Sequence, residues 1–556
     1  MPEYSILIGG RAGEGLNKAG IIIARIMNGL GYRVFMYYDY PSLIRGGHNF
    51  SIIRAAPQRI YSHRTGVDFL LAMNRETLEL HAHRRSEGTV AIFNSDAVKG
   101  EGEGIGLPLS QIAKEEGAPD IARNTGIIAG FCGVSGIPRE VLEGTLRKEI
   151  PRGLEANLAI ARRAYSLAGP LPRATVPPNP APGKVLPVLT GNEAAGLGLL
   201  RAGLQAYVAY PMTPTSNLLH FLAGVPADLG LTVIHPENEI GVALMALGFA
   251  YAGKKVAVGT SGGGFCLMNE GFSLSGMAEI PLLVMLGQRP GPSTGLPTYS
   301  CQTELHFAAN AGQGEFVRFI VAPGDMEETC FWAGAALTLA WRHQVPAILL
   351  YDKNLAEHGY NLDIDAVPPL PELPPEAWDG KTPYRRYAVT DSGVSPLAFP
   401  SAKGAMVKVN GYAHDEAGIT TEEPGTVTRI QEKILRKGEG LAGDLERLPT
   451  VTVAGARGAG DALLTWGSTA GACREVGDAL GLRVVQPVVL NPFPGERVRD
   501  ALGGARRVIV VEQNATGQLE RILPGQSIRA DGRIRKYDGR PFARDELEAR
   551  VREVLP

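Results

Sequence analysis

The residues best equipped for chemistry fall between Tyr210 and Thr298. Tyr210-Pro211-Met212-Thr213-Pro214 holds a hydroxyl between prolines, and Pro236-Glu237-Asn238-Glu239 puts two carboxylates where a helix should begin. Thr260-Ser261-Gly262-Gly263-Gly264 joins hydroxyls to turn glycines, and Thr298 comes nine positions after Arg289 in a loop stiffened by Pro290, Pro292 and Pro297. A guanidinium offers a fork of donors matched to a carboxylate. Proline presets the backbone and so fixes where the Thr213 hydroxyl points. Glu237 reads as an acid stabilised by a helix start. Glu239 is expected one turn in, followed by Ile240, Val242, Ala243, Leu244 and Met245. A carboxyl drawn into such apolar surroundings keeps its proton more readily and can donate it. Each feature has a plainer reading as a braced turn, a cap or a surface ion pair. Together, at successive strand ends, they suit holding a small carboxylate beside a cofactor.

The elements that must position these groups read as α/β throughout. Residues 3–165 alternate strands (Ser5–Gly9, Val34–Tyr38, Phe69–Met73, Thr89–Phe93) with helical patterns such as Asn17–Leu30. A proline-rich linker runs from Gly169 to Pro187. A second unit follows, with strands expected at Ala206–Ala209, Thr232–Ile234, Lys255–Gly259, Leu282–Leu286, Phe316–Val321 and Ala347–Tyr351. Open α/β sheets bind ligands beyond the carboxyl ends of their strands, which is where Thr213, Thr260 and Arg289 fall. After a loop from Val367 to Pro383, a basic helical piece spans Val427–Lys437. A third unit carries strands at Ala462–Trp466, Val484–Val488 and Val508–Val511, and the tail ends in an amphipathic helix from near Ala543. The domains are therefore expected at 1–168, 188–366 and 450–556, with 169–187 and 367–449 between them.

Composition removes several functions. Lys+Arg 55 against Asp+Glu 57 gives no basic footprint for nucleic acid. No apolar run approaches the ~18 residues of a membrane span, so the expected setting is the cytoplasm. The nearest cysteines, Cys301 and Cys330, are 29 positions apart. The close thiolate spacing of iron–sulfur and zinc sites is missing, so any cluster is expected on another chain. Gly9-Gly10-Arg11-Ala12-Gly13-Glu14-Gly15 is a strand-to-helix turn of the kind that favours anions, and an unliganded turn explains it equally well. Asp39 lies 24 residues past Gly15 in a tyrosine-rich run, a poor match to a dinucleotide ribose site.

At these residues the chain resembles the 2-oxoacid:ferredoxin oxidoreductases, specifically the alpha subunit with a gamma-type domain fused at its N-terminus. The resemblance takes in Gly10–Gly15, Arg45-Gly46-Gly47-His48, Gly191-Asn192-Glu193-Ala194-Ala195, Tyr210–Pro214, Glu239, Thr260–Gly264 and Gln288–Thr298. It continues through Gly393-Val394-Ser395-Pro396, His414-Asp415-Glu416, Asn491-Pro492-Phe493-Pro494, Val511-Glu512-Gln513-Asn514 and Gly517-Gln518. It implies a gamma-type domain, a pyrimidine-binding domain for thiamine diphosphate and a third module like the C-terminal domain of transketolases. Arg11 and Glu14 are bulkier than the resemblance leads one to expect in the first turn.

The resemblance further implies that Glu239 hydrogen-bonds the cofactor's pyrimidine, with Tyr210, Pro211, Gly262 and Gly263 around it. Arg289 would pair with the substrate carboxylate, and Thr213 and Thr298 would orient it. The family holds the cofactor diphosphate through a metal in a loop beginning Gly-Asp-Gly, a motif this chain lacks. A beta subunit is therefore expected to bring magnesium, the diphosphate site and a 4Fe–4S cluster, and this chain to bind no metal. Coenzyme A is the expected acyl acceptor and ferredoxin the electron acceptor. The gamma–alpha fusion most resembles the 2-oxoglutarate branch; pyruvate or a broad 2-oxoacid range is the nearest rival. A noncatalytic docking subunit has no need of Glu239, Arg289, Thr213 and Thr298 together.

Overall fold

The computed structural model describes residues 3–41, 47–99, 104–179, 183–456 and 458–555. By their packing they form two units, one of 1–190, 358–363 and 542–556, the other of 191–357 and 364–541.

In the first unit an eight-stranded sheet runs Ile105–Leu107, Val90–Asn94, Phe69–Ala72, Tyr4–Arg11, His48–Ala56, Arg33–Asp39, Gly359–Asn361, Val188–Thr190. Tyr4–Arg11 pairs parallel with Phe69–Ala72 and antiparallel with His48–Ala56, with Ile6 opposite Ile53. The strand His48–Ala56 is not among those expected, because Arg54 interrupts its apolar run. That arginine is nonetheless buried, its Nε donating to Glu3 at 2.9 Å and its Nη1 to the Ser62 carbonyl at 2.9 Å. The helices Leu16–Gly29 and Arg123–Val134 lay Ile22, Ile23, Ile26, Ile127 and Phe131 over Ile6, Ile8 and Ile53 to make the core.

Two segments expected in later domains pack here instead. Asn361 accepts from the Val34 amide at 2.6 Å, which ties the short strand Gly359–Asn361 beside Arg33–Asp39. The tail helix Arg544–Val554 buries Leu547 and Val551, and Asp545 accepts from the Thr65 amide at 2.9 Å. Its apolar stripe needed a partner that its position in sequence does not name.

The second unit holds two sheets. Seven strands run Val489–Asn491, Phe319–Val321, Pro346–Asp352, Leu282–Gln288, Val256–Ser261, Ala206–Ala209, Thr232–Ile234. All are parallel except Val489–Asn491, which pairs antiparallel with Phe319–Val321. Five strands form the other sheet, in the order Val451–Gly455, Arg483–Pro487, Asp461–Thr465, Arg507–Glu512, Gly532–Arg535. The basic helical piece is longer than its pattern suggested, Pro424–Leu445, because Glu423 caps it through the Gly425 and Thr426 amides. Its Lys433 reaches the fully buried Glu279 with 2.7 Å contacts to both carboxylate oxygens, and Lys437 also contacts that carboxylate. Among the described residues no helix is long and apolar enough to cross a membrane.

Candidate active site

In the seven-stranded sheet the chain passes from Ala206–Ala209 outward to Thr232–Ile234, then crosses back to Val256–Ser261 on the other side. The strand order therefore reverses between Ala209 and Ser261, and a crevice opens at the carboxyl ends on either side of such a reversal. The segments leaving those ends are Tyr210–Thr215, Ser261–Gly264 and, one strand over, Arg289. The crevice belongs to the sheet before any side chain is considered.

Glu239 is the first residue of the helix Glu239–Tyr251, one turn earlier than expected. The cap is Asn238, whose side chain accepts from the Gly241 amide at 2.9 Å; Glu237 is exposed. Relieved of capping, the Glu239 side chain turns inward and is 4% exposed. It lies against Gly264: a Cβ built there would be 2.7 Å from Glu239 Oε1 and would also strike Thr260 Oγ1. Only glycine lets the helix Gly262–Met277 approach the acid this closely.

Strand Val256–Ser261 runs two residues further than expected and passes straight into that helix. Ser261 stands at the cap position without making a cap bond, and its hydroxyl is buried with no hydrogen-bond partner. Thr298 likewise has a buried, unpartnered hydroxyl. Buried polar atoms in native proteins are nearly always satisfied, so the orphan Ser261 hydroxyl, at the carboxyl end of its strand, is a candidate partner for a ligand.

Arg289 is half-buried, and its Nη1 donates to the Thr213 carbonyl at 3.1 Å. Two of the expected residues thus meet, though through the Thr213 backbone and not its hydroxyl. Burial lowers the arginine's pKa and nearby Glu304 raises it. Tyr210 is 37% exposed, edge-on to His235, and Pro211 is part-buried. Gly262 and Gly263 open the helix; a Cβ at Gly262 would be 2.7 Å from Glu304 Oε1, whereas at Gly263 nothing comes nearer than 3.8 Å.

Glu304 carries no sequence signal of a functional role. It precedes the short helix Leu305–Asn310 and looks like an ordinary cap, yet its side chain makes no cap bond. It is 7% exposed, with Oε2 accepting from the Thr303 hydroxyl at 3.0 Å. Burial pushes its pKa up to about 8; Thr303 and Arg289 oppose the shift and Asp352 reinforces it. Asp352, at the end of Pro346–Asp352, is also raised by burial and accepts from Ser468 at 2.7 Å and Ser300 at 3.2 Å.

The loop bearing Thr298 and Glu304 is held by the five-stranded module. Gln302 donates to the Trp466 carbonyl at 2.6 Å and accepts from the Gln513 amide and the Thr469 hydroxyl, each at 2.9 Å. Gln513 donates back to the Ser300 carbonyl at 2.9 Å, and Gln518 to that of Thr303 at 2.7 Å. Gln513 and Gln518 thereby fix the loop in place.

In the first unit, the glycine-rich turn is filled from within. Glu14 accepts from the Arg11 amide at 2.9 Å and lies 3.6 Å from Arg123, so its own carboxylate takes up a donor an anion would need. Arg45 and Gly46 lie outside the described residues. His48 Nε2 meets His81 Nε2 at 2.9 Å.

Residues 5–167 match the family "Pyruvate ferredoxin/flavodoxin oxidoreductase", and 197–433 match "Pyruvate flavodoxin/ferredoxin oxidoreductase, thiamine diP-bdg". A 2-oxoacid:ferredoxin oxidoreductase 2 subunit alpha from Aeropyrum pernix is 31% identical, covering 100% of this chain and 98% of that one. A 2-oxoglutarate oxidoreductase subunit KorA from Mycobacterium tuberculosis is 30% identical over 72% of this chain and 61% of its own length. The structure of the 2-oxoglutarate:ferredoxin oxidoreductase from Magnetococcus marinus, with 2-oxoglutarate, coenzyme A and succinyl-CoA bound, superposes with a TM-score of 0.90 at 28% identity, each chain covered in full. With a sheet-edge crevice holding Glu239 and Arg289, and relatives matched from end to end, the chain belongs to the 2-oxoacid:ferredoxin oxidoreductases as an alpha subunit with a fused gamma-type domain.

Proposed function

We propose that this chain, paired with a beta subunit, oxidatively decarboxylates 2-oxoglutarate in preference to pyruvate, passing the acyl group to coenzyme A and electrons to ferredoxin. The observation that supports this reading is Glu239 buried against the helix start that follows Ser261, with half-buried Arg289 leaving the end of the neighbouring strand. The preference for 2-oxoglutarate rests on the Magnetococcus marinus enzyme, spanned in full, and on the KorA relative.

The residues fit the pyrimidine half of thiamine diphosphate. Glu239 would hydrogen-bond the ring through its buried carboxyl, Tyr210 and Pro211 would border it, and Gly262 and Gly263 would let it reach the helix start. When bound, the cofactor supplies the nucleophilic carbon and the electron sink that decarboxylation requires. Arg289 would bind the substrate carboxylate through its donor fork, with the Thr213 and Thr298 hydroxyls restricting its pose. The orphan hydroxyl of Ser261 is a group such a ligand would satisfy.

Without a Gly-Asp-Gly loop in this chain, the beta subunit would bring the diphosphate site and magnesium; because this chain's cysteines lie far apart, it would also bring the 4Fe–4S cluster. An apolar face on this chain supports that pairing. Ile240, Leu244 and Met245 on Glu239–Tyr251 and Leu267 on Gly262–Met277 are all exposed, although both helices carry site residues. Exposed apolar residues grouped beside a half-built site suit a protein partner. The five cysteines are free thiols, in keeping with work in the cytoplasm.

The deciding assay co-expresses this chain with its beta subunit and follows coenzyme A-dependent reduction of a low-potential dye. Turnover is expected with 2-oxoglutarate, and less with pyruvate. Absence of turnover with every 2-oxoacid, or full activity from this chain alone, overturns the reading.

A further inference from the structure

Glu304 has no role in the chemistry described so far, yet it is buried against the start of Gly262–Met277 and lies within reach of the Arg289 charge. Its carboxyl rests on Gly262, where a Cβ would be 2.7 Å from Oε1, and the Thr303 hydroxyl that donates to it also touches the Cys301 thiol at 3.2 Å. Its own amide donates to Gln288 Oε1 at 3.3 Å, at the end of the strand that delivers Arg289. The loop carrying it is fixed by Gln302, Gln513 and Gln518, so the carboxyl is held and not simply tucked away.

We propose that Glu304 is a positioning residue: held as a neutral acid, it leaves the Arg289 charge free for the substrate carboxylate. Resting on the function proposed above, this adds what governs substrate affinity. An ionised Glu304 would offset the guanidinium and repel an incoming anion, whereas a neutral one does neither.

The surroundings have opposing effects. Arg289 and the start of Gly262–Met277 favour the anion. Burial and the Asp352 carboxylate favour the neutral acid, and burial is the largest effect. Cys301, itself buried, is pushed well above its ordinary thiol range and adds no charge. Glu239 lies on the other side of the helix start, against Gly264. The result is a group that loses its proton near pH 8.

The test measures KM and kcat against pH in the co-expressed two-chain enzyme. Wild type should show KM for the 2-oxoacid rising about tenfold between about pH 7 and pH 9 as the neutral acid is titrated away, with kcat changing less than about twofold. Glu304→Gln, which keeps the shape and cannot ionise, should flatten the rise while holding the neutral-pH KM within about threefold of wild type. An unaltered pH rise in Glu304→Gln, or a neutral-pH KM raised more than about tenfold, overturns the proposal. If Glu304→Gln does not assemble, Glu304→Asp decides: a displaced midpoint supports the proposal and an unmoved one overturns it. A wild type inactive with every 2-oxoacid overturns the functional reading itself, an outcome separate from any behaviour of the Glu304 variants.

Discussion

The Glu239 carboxyl is seated on the backbone of Gly264, close enough that a Cβ there would lie 2.7 Å from Oε1. Gly264→Ala must therefore push the acid, and with it Thr260, out of position. Overpacking of this kind costs about 1–3 kcal/mol, and turnover should fall by tenfold or more because the displaced group is the one assigned to the cofactor. Gly443→Ala, in the helix Pro424–Leu445, is the stability control, since nothing lies within 4 Å of its Cβ. Differential scanning calorimetry and dye reduction on both variants check this; equal activity losses would detach Gly264 from Glu239.

Arg289 holds its Thr213 contact with one guanidinium nitrogen, leaving the rest of the fork for an anion. Arg289→Ala should raise KM for the 2-oxoacid by roughly 30-fold or more, the value of a lost charge-assisted pair of about 2–3 kcal/mol. Arg289→Lys keeps the charge without the fork and should recover only part of that loss. Steady-state kinetics of the two variants distinguish charge from geometry.

The strand-end positions of Thr213, Glu239 and Arg289 are legible in the sequence because each follows an apolar run that ends in a turn. Glu304 is not. A glutamate before a short helix looks like a cap, and its burial depends on Gln302 and Gln513, 211 positions apart in the chain. The same reason hides His48–Ala56, whose buried Arg54 is offset by Glu3. The tail helix Arg544–Val554 shows its apolar stripe but not the unit that covers it. Local periodicity reports elements; it is silent about polar pairings made across long separations.

Gln302 bridges the Trp466 carbonyl, the Gln513 amide and the Thr469 hydroxyl, all buried. Gln302→Ala strands these groups, and about 2–4 kcal/mol of stability should be lost. Because the same loop carries Thr298 and Glu304, KM for the 2-oxoacid should also rise. Calorimetry alongside kinetics tests this; lower stability with an unchanged KM would confine Gln302 to a structural role.

Leu244 and Leu267 are exposed beside the site, 48% and 51% respectively. Leu244→Asp should change the stability of this chain by no more than about 0.5 kcal/mol, as surface substitutions do. It should abolish copurification with the beta subunit, because an unpaired charge would be buried on assembly. Tagged pull-down from the co-expressing strain gives the answer, and undiminished capture would move the partner's contact elsewhere.

Glu279 is fully buried, with Lys433, Lys437 and Arg386 around it. Burial raises its pKa, but these cations outweigh that and leave the carboxyl well below its ordinary 4.5. A carboxylate depressed in the folded state binds fewer protons than in the unfolded chain as pH falls through that range. Its stabilisation is therefore fully present at neutral pH and is lost on acidification below about 4.5. Glu279→Gln leaves two lysines without their counter-charge and should cost about 3–5 kcal/mol at neutral pH. Lys437, already lowered to about 7 by burial, should then fall further and stand neutral at neutral pH, which recovers part of that loss. Melting temperature against pH, for wild type and Glu279→Gln, should show the two curves converging in acid. Parallel curves would mean that the ion cluster does not set acid stability.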